Sequence, residues 1–360
     1  LLSQLHDPHL RAFASDNYAG VHPELLAAIA VANGGHQTAY GEDVYTGRLQ
    51  DVVRAHFGPT AEAHPVLTGT GANIVALQAM TPRWGAVLCA ATSHLHTDEG
   101  VAPEAAARTK LIVVDSRDGK LTPEHIAAHA SALGDEHRAQ PSVVSITQAT
   151  EPGTVYTPQE TAAVSAAAHA NGMTVHLDGA RLANAAAALD VPLRALTTDA
   201  GVDVVTLGGT KNGMLFGEAV VVLDPAAVDG LAFVRKTSAQ LASKMRFVSA
   251  QFIELLGSDL WLRNARHANA MAGLLAERVR RLPGVEIVRP VQANAVFAVL
   301  PREVTTRLQK RFNFYTRDER TGEVRWMCSF DTTPDDVETF VRAIAEELGV
   351  QGSDHEGGQQ

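Results

Sequence analysis

Six short apolar and β-branched runs recur between residues 85 and 224, and what separates them decides the architecture. They read "GAVLCAA" (85–91), "KLIVVD" (110–115), "SVVSITQA" (142–149), "MTVHLD" (173–178), "VDVVTLG" (202–208) and "EAVVVLD" (218–224). Most are divided by Ala-rich stretches that carry helix signals. In "TPQETAAVSAAAHANG" (157–172), Thr157 is placed to cap, Pro158 takes the first helical position, Glu160 completes a capping box and Gly172 stands near the stop. Continuous apolar strands separated by helices imply a mostly parallel sheet covered on both faces, so the expected class is α/β. The last two runs are the exception. About nine residues lie between "TLG" and "EAV", too few for a helical crossover, and that pair is expected to be antiparallel.

Beyond residue 225 the text becomes helical (226–282) and then gives "VEIVRP", "ANAVFAVL" and "VRWMCSF" with flanking helices, which reads as a smaller C-terminal α+β domain. The expected division is an N-terminal extension (1–12), a large domain (13–240), a small domain (241–348) and a disordered tail (349–360). With 30 basic against 40 acidic residues, net charge −10, the chain has no electrostatic footprint for nucleic acid. Cys89 and Cys328 form no C-x-x-C pair, which argues against a disulfide scaffold or a cysteine zinc site and fits a reducing, cytoplasmic setting. The N-terminus shows no basic leader before an apolar core, and nowhere do about 18 apolar residues run unbroken, so no membrane is expected.

The stretch "VVTLGGTKNGMLFGEAVVVL" (204–223) holds one basic residue, Lys211, where an apolar run breaks into glycines. A lysine at the C-terminal end of a strand points into the crevice where open α/β sheets bind ligands. An isolated loop lysine is ordinarily just solvated, so its neighbours decide. Asp178 ends another apolar strand, with Gly179 and Arg181 immediately beyond. Lysine and aspartate would form an ion pair, or would hold the ring of pyridoxal phosphate. Gly69, Thr70 and Gly71 open a helical run whose N–H groups suit a phosphate. Ile74 stands where a dinucleotide motif needs its third glycine, and Asn212 follows the lysine where a phosphate loop needs Ser or Thr. His94 and His96 alternate on strand-like chain near Glu99, but without a clear third ligand no metal is expected. Arg325, inside the apolar "VRWMCSF", needs a partner if buried.

Taken in order, "FASDNYAG" (13–20), "AYGED" (39–43), "TGTGAN" (68–73), "SHLHTDE" (93–99), "HLDGARLANA" (176–185), "GGTKNG" (208–213), "LASKMRF" (241–247) and "VRWMCSFDT" (324–332) resemble the low-specificity L-threonine aldolases. These are pyridoxal-phosphate enzymes of the β-eliminating lyase group with the aspartate aminotransferase type of fold. The resemblance implies Lys211 as the Schiff-base lysine, Asp178 as partner of the pyridine nitrogen and Arg181 as donor to the phenolic oxygen. It implies Gly69, Thr70 and Gly71 as the phosphate cup, joined by Arg246 from a neighbouring subunit, and His94 stacked on the ring. Ser15 and Arg325 match the substrate carboxylate clamp, and Tyr40 would line the pocket from the partner chain.

One place departs from that pattern. Where many of these aldolases carry "E-N-T-H", this chain reads "QATEPG", so Glu151 replaces the histidine. The proton acceptor is then Glu151, or a water oriented by Glu151 or His94. The implied reaction is retro-aldol cleavage of L-threonine and L-allo-threonine, and of other β-hydroxy amino acids, to glycine and an aldehyde. The implied assembly is a homotetramer of dimers with sites at the dimer interface. A phenylserine aldolase, or another β-eliminating lyase, would use the same cofactor residues. A non-catalytic cofactor-binding module is a remoter reading.

Overall fold

In the computed structural model, which describes residues 4–350, all six expected runs are strands, and a seventh joins them. In chain order they are β1 (Glu62–Val66), β2 (Gly85–Ala90), β3 (Lys110–Val114), β4 (Gln140–Thr147), β5 (Thr174–Gly179), β6 (Val204–Gly208) and β7 (Glu218–Val222). The additional strand, β1, contains Pro65 and pairs only with β7 at the edge of the sheet, where a residue without an N–H is tolerated. The spatial order is β3-β2-β4-β5-β6-β7-β1. The pairs from β3 to β6 are parallel, whereas β6–β7 and β7–β1 are antiparallel, as the short β6–β7 connection requires.

This topology collects the ends that matter. Parallel pairing brings the exits of β2, β4, β5 and β6 to one edge, and the antiparallel β7 begins there, with Glu218 opposite Gly208. After β3 the chain returns to the far side of β2 to form β4, so the crevice between the exits of β2 and β4 is a topological switch point. Helix Gly69–Met80 covers the sheet. Val75 and Leu77 are fully buried in one cluster with Val66, Val87, Val204 and Val220, each such side chain contributing about 1.5–3 kcal/mol. Helix Pro158–Ala170 has its capping box: Thr157 Oγ1 accepts the Glu160 N–H at 3.1 Å, and Glu160 Oε2 accepts the Thr157 N–H at 2.7 Å.

By its contacts the chain divides at 266/267 rather than at 240/241, and residues up to 19 belong with the C-terminal unit. Helix Arg246–Gly257 accounts for the later boundary, because it packs on helices Pro23–Ala32 and Val44–Phe57 of the larger unit. The smaller unit carries a four-stranded antiparallel sheet, ordered β10-β11-β9-β8, from β8 (Glu286–Ile287), β9 (Ala295–Val299), β10 (Tyr315–Asp318) and β11 (Glu323–Met327). Phe13 is part of this unit, not the start of the larger one. Its N–H donates to Asn313 O at 2.9 Å, its carbonyl accepts from Met327 N at 2.8 Å, and its ring stacks on Phe340 at 4.3 Å. Trp326 meets the same Phe340 edge-on at 5.3 Å. The tail expected to be disordered lies outside the described residues from 351 onward. Among the described residues no helix is long and apolar enough to cross a membrane.

Candidate active site

At the edge formed by the exits of β2, β4, β5 and β6, polar side chains gather. Asp178, near the end of β5, is 5% exposed. Its Oδ1 accepts the Ala180 N–H at 3.0 Å, and its Oδ2 accepts Asn73 Nδ2 at 3.0 Å. Asn73 comes from helix Gly69–Met80 and donates the same amide nitrogen to Glu99 Oε1 at 2.8 Å. Glu99 Oε1 also lies 2.9 Å from His94 Nδ1. That hydrogen bond raises the His94 pKa, against the burial that lowers it. The expected alternation of His94 with His96 is not observed. Residues His94–Thr97 form a helical turn, which sends i and i+2 to different faces, so the two imidazoles do not share one side.

Glu151 follows β4 across the switch-point crevice. Its Oε1 accepts the His94 N–H at 2.6 Å and Thr147 Oγ1 at 3.3 Å, while Oε2 is buried with no hydrogen-bond partner. Burial, chiefly, pushes its pKa up to about 7.

Lys211 lies in the turn Thr210–Asn212 that leaves β6, flanked by Gly209 and by Gly213 at φ 102°. Its amine has no hydrogen-bond or ion-pair partner among the described residues. The turn sits next to the β5 exit because glycines let the backbones close up. A Cβ on Gly179 would lie 2.8 Å from Thr206 O, and one on Gly208 would run into the Ala180 carbonyl. Asp178 and Lys211 therefore leave adjacent strands.

The expected phosphate cup is the first turn of helix Gly69–Met80. Thr68 caps it, with Oγ1 accepting the Gly71 N–H at 3.0 Å, and the N–H groups of Gly69 and Thr70 have no acceptor among the described residues. Gln240 covers Gly71 and takes the Leu67 N–H at 3.0 Å. Arg181 follows Asp178 by one turn of chain, its N–H bonded to Gln148 O at 3.1 Å. Arg246 opens helix Arg246–Gly257 with its guanidinium 4.8 Å from the Phe247 ring and its Nε buried without an acceptor. Tyr40 is 50% exposed, with Lys236 Nζ 4.6 Å from its ring centre. In the smaller unit, Ser15 caps a turn by accepting the Asn17 N–H at 3.2 Å. There Arg325 donates to Ala14 O at 3.1 Å and stands 5.6 Å from the Tyr315 ring, which supplies the partners its strand position calls for.

The sequence pattern of one family, described as beta-eliminating lyase, matches residues 12–302. This chain belongs to the beta-eliminating lyase family. Its relatives include a low-specificity L-threonine aldolase of Pseudomonas aeruginosa, 43% identical over 95% of this chain and 99% of its own length. Another of that name, from a Pseudomonas sp., is 43% identical over 93% of this chain and 96% of its own. Among solved structures, a threonine aldolase of Leishmania major is 28% identical, with a TM-score of 0.87 over 93% of this chain and 98% of that one. The residues of this lyase fit pyridoxal phosphate on their own evidence: open N–H donors at a helix start, a partnerless amine, and a carboxylate held in place by two donors. Asn73 and Glu99 close two of the stretches that carry the resemblance but were given no role there, and Glu218 and Gln240 lie outside all of them.

Proposed function

We propose that this chain is a pyridoxal-phosphate-dependent aldehyde-lyase cleaving L-threonine and L-allo-threonine, and other β-hydroxy-α-amino acids, to glycine and acetaldehyde or the matching aldehyde. The observation that carries the reading is the partnerless amine of Lys211 at the exit of β6, one strand from the fixed carboxylate of Asp178. Identity of 43% along nearly the whole length of the low-specificity L-threonine aldolases supports the substrate class.

The cofactor, when bound, supplies an electron sink for the pair released at Cα as the Cα–Cβ bond breaks. Lys211 holds it through the amine, and Asp178, kept in place by Asn73 and the Ala180 N–H, keeps a proton on its ring nitrogen. Gly69, Thr70 and Gly71 hold its phosphate, and Arg181 donates to its phenolic oxygen. His94, pinned through Nδ1 to Glu99, covers the ring face. Ser15 and Arg325, close in the smaller unit, are the pair proposed to hold the substrate carboxylate. Cleavage needs the β-hydroxyl proton to leave as the aldehyde carbonyl forms. Glu151 Oε2 receives it, since this atom is desolvated and uncommitted and its carboxyl titrates near pH 7.

The proposed assembly is a homotetramer, a dimer of dimers, in which Arg246 and Tyr40 act on the partner's site. Exposed apolar side chains on helices Pro23–Ala32 and Val44–Phe57, Leu26, Val31 and Val44, support a neighbour that covers them. A cytoplasmic setting is proposed from the two free, buried cysteines.

The deciding experiment incubates the chain with pyridoxal phosphate, reduces it with borohydride, locates the adduct by peptide mass, and assays products from L-threonine. We expect an adduct on Lys211, none in a folded Lys211→Ala variant, and glycine with acetaldehyde as products. A keto acid with ammonia would replace the aldolase reading with β-elimination, and a chain that takes up no cofactor would end both.

A further inference from the structure

Side chains along β11 alternate between the two faces of the smaller sheet. Val324 and Trp326 enter the core that holds Phe13 and Phe340, whereas Arg325 and Met327 turn to the other face, where Met327 clusters with Phe297. There Arg325 is flanked directly across the ladder by Phe297 on β9 and by Tyr315 on the edge strand β10. Its guanidinium stands 5.6 Å from the centre of the Tyr315 ring. The hydroxyl at the far end of that ring meets the Tyr18 hydroxyl at 3.0 Å. Tyr18 closes the turn Asp16–Tyr18 that Ser15 caps, and its N–H donates to Ser15 O at 3.0 Å. One side chain thus reaches from Arg325 to the turn of Ser15. The same turn is tied to the exit of β11 by Asn294, whose Nδ2 donates to Asp16 Oδ2 at 3.1 Å and to Cys328 O at 2.8 Å. All of these residues lie in the smaller unit.

Burial does not explain the two tyrosines. Tyr18 is 51% and Tyr315 45% exposed, and an edge strand is ordinarily protected by a charged side chain as well as by an aromatic one. A hydroxyl pair at the surface also adds little to stability. What the pair does is fix geometry. An arginine loses rotamer freedom when it grips a ligand, so holding its plane in advance strengthens binding. A guanidinium fork that donates to both oxygens of a carboxylate depends on that plane.

We propose that Tyr315 is a positioning residue for the substrate carboxylate: its ring holds the Arg325 guanidinium, and its hydroxyl, through Tyr18, holds the turn of Ser15 beside it. This rests on the reading of Ser15 and Arg325 as the carboxylate clamp. Tyr315 acts through Arg325, so its effect falls on the grip of the carboxylate and not on bond cleavage.

The test uses the full-length, cofactor-loaded chain, titrated by calorimetry with glycine and with glycinamide, which lacks the carboxylate. Melting temperature reports folding. Tyr315→Phe removes the hydroxyl contact and keeps the ring, and its affinity for glycine should fall about three- to tenfold while that for glycinamide stays native. Tyr315→Leu removes the ring as well and should weaken glycine further. With L-threonine, KM should rise by the same factors at unchanged kcat. Tyr18→Phe should match Tyr315→Phe, and the double variant should match either one, because all three delete the same contact. Equal weakening of glycine and glycinamide overturns the proposal, as does native glycine affinity in Tyr315→Phe or a fall in kcat at native KM. Single effects that multiply in the double variant overturn it too. If Tyr315→Leu does not fold, the two phenylalanine variants decide alone. An Arg325→Gln variant that keeps the native preference for glycine over glycinamide would instead remove the clamp reading, so the two failures are distinct.

Discussion

Glu151 and His94 meet across the crevice between β2 and β4, and both favour the protonated form in the folded chain, for different reasons. Desolvation acts on Glu151, and the Glu99 hydrogen bond acts on His94. A carboxyl whose pKa rises from 4.5 to about 7 on folding contributes about 3 kcal/mol that is fully present below pH 4.5 and lost as the pH climbs to 7. His94 adds a loss of the same sign as the pH passes its raised pKa. Denaturant titrations between these pH values should therefore show Glu151→Gln with a flatter profile than the native chain. The same variant should lose about 10²–10⁴-fold in kcat, together with the acid limb near pH 7. Unchanged kcat would move the proton to another acceptor. Lys211 and Asp178 were legible in the sequence because each places a charge where an apolar run ends, and Glu151 because it stands where the resemblance sets a histidine. Asn73 was not, because its meaning comes from bonds to Glu99 and Asp178, 26 and 105 residues away.

At the scale of elements, the β5 and β6 exits can lie side by side only while Gly208 lacks a side chain. A Cβ there would press on the Ala180 carbonyl, a backbone atom that cannot swing aside. Gly208→Ala should cost about 1–3 kcal/mol by overpacking and should spread the two turns that carry Asp178 and Lys211. Cofactor uptake measured by absorbance should weaken along with the melting temperature, and full uptake at native affinity would show that the two exits tolerate separation. The antiparallel β6–β7 pair was legible from loop length alone. β10 was not, since "YTRD" is a charged edge strand with little apolar signal. The turn His94–Thr97 was misread because a His-x-His spacing imitates strand alternation over so few residues.

For the whole molecule, several large apolar side chains of the larger unit face outward. They include Leu26 at 50%, Val44 at 67% and Val31 at 75% exposure, and all three lie on helices Pro23–Ala32 and Val44–Phe57. Sedimentation velocity should give about four times the 38.2 kDa chain mass. A monomer that keeps full activity would remove the cross-subunit roles of Arg246 and Tyr40. The division into units was only partly legible, because composition changes near residue 225 while packing changes at 266/267. Nothing in "LRAFAS" (10–15) announces that it completes a core built from the far end of the chain. That arrangement sets a timetable. Phe13 leaves the ribosome more than 300 residues ahead of Phe340, and at about 5–20 residues per second the earlier ring waits on the order of half a minute for the later one. During that interval the core of the smaller unit lacks the ring on which Phe13, Phe312, Phe314 and Trp326 converge, and a chain cut short before Phe340 never acquires it.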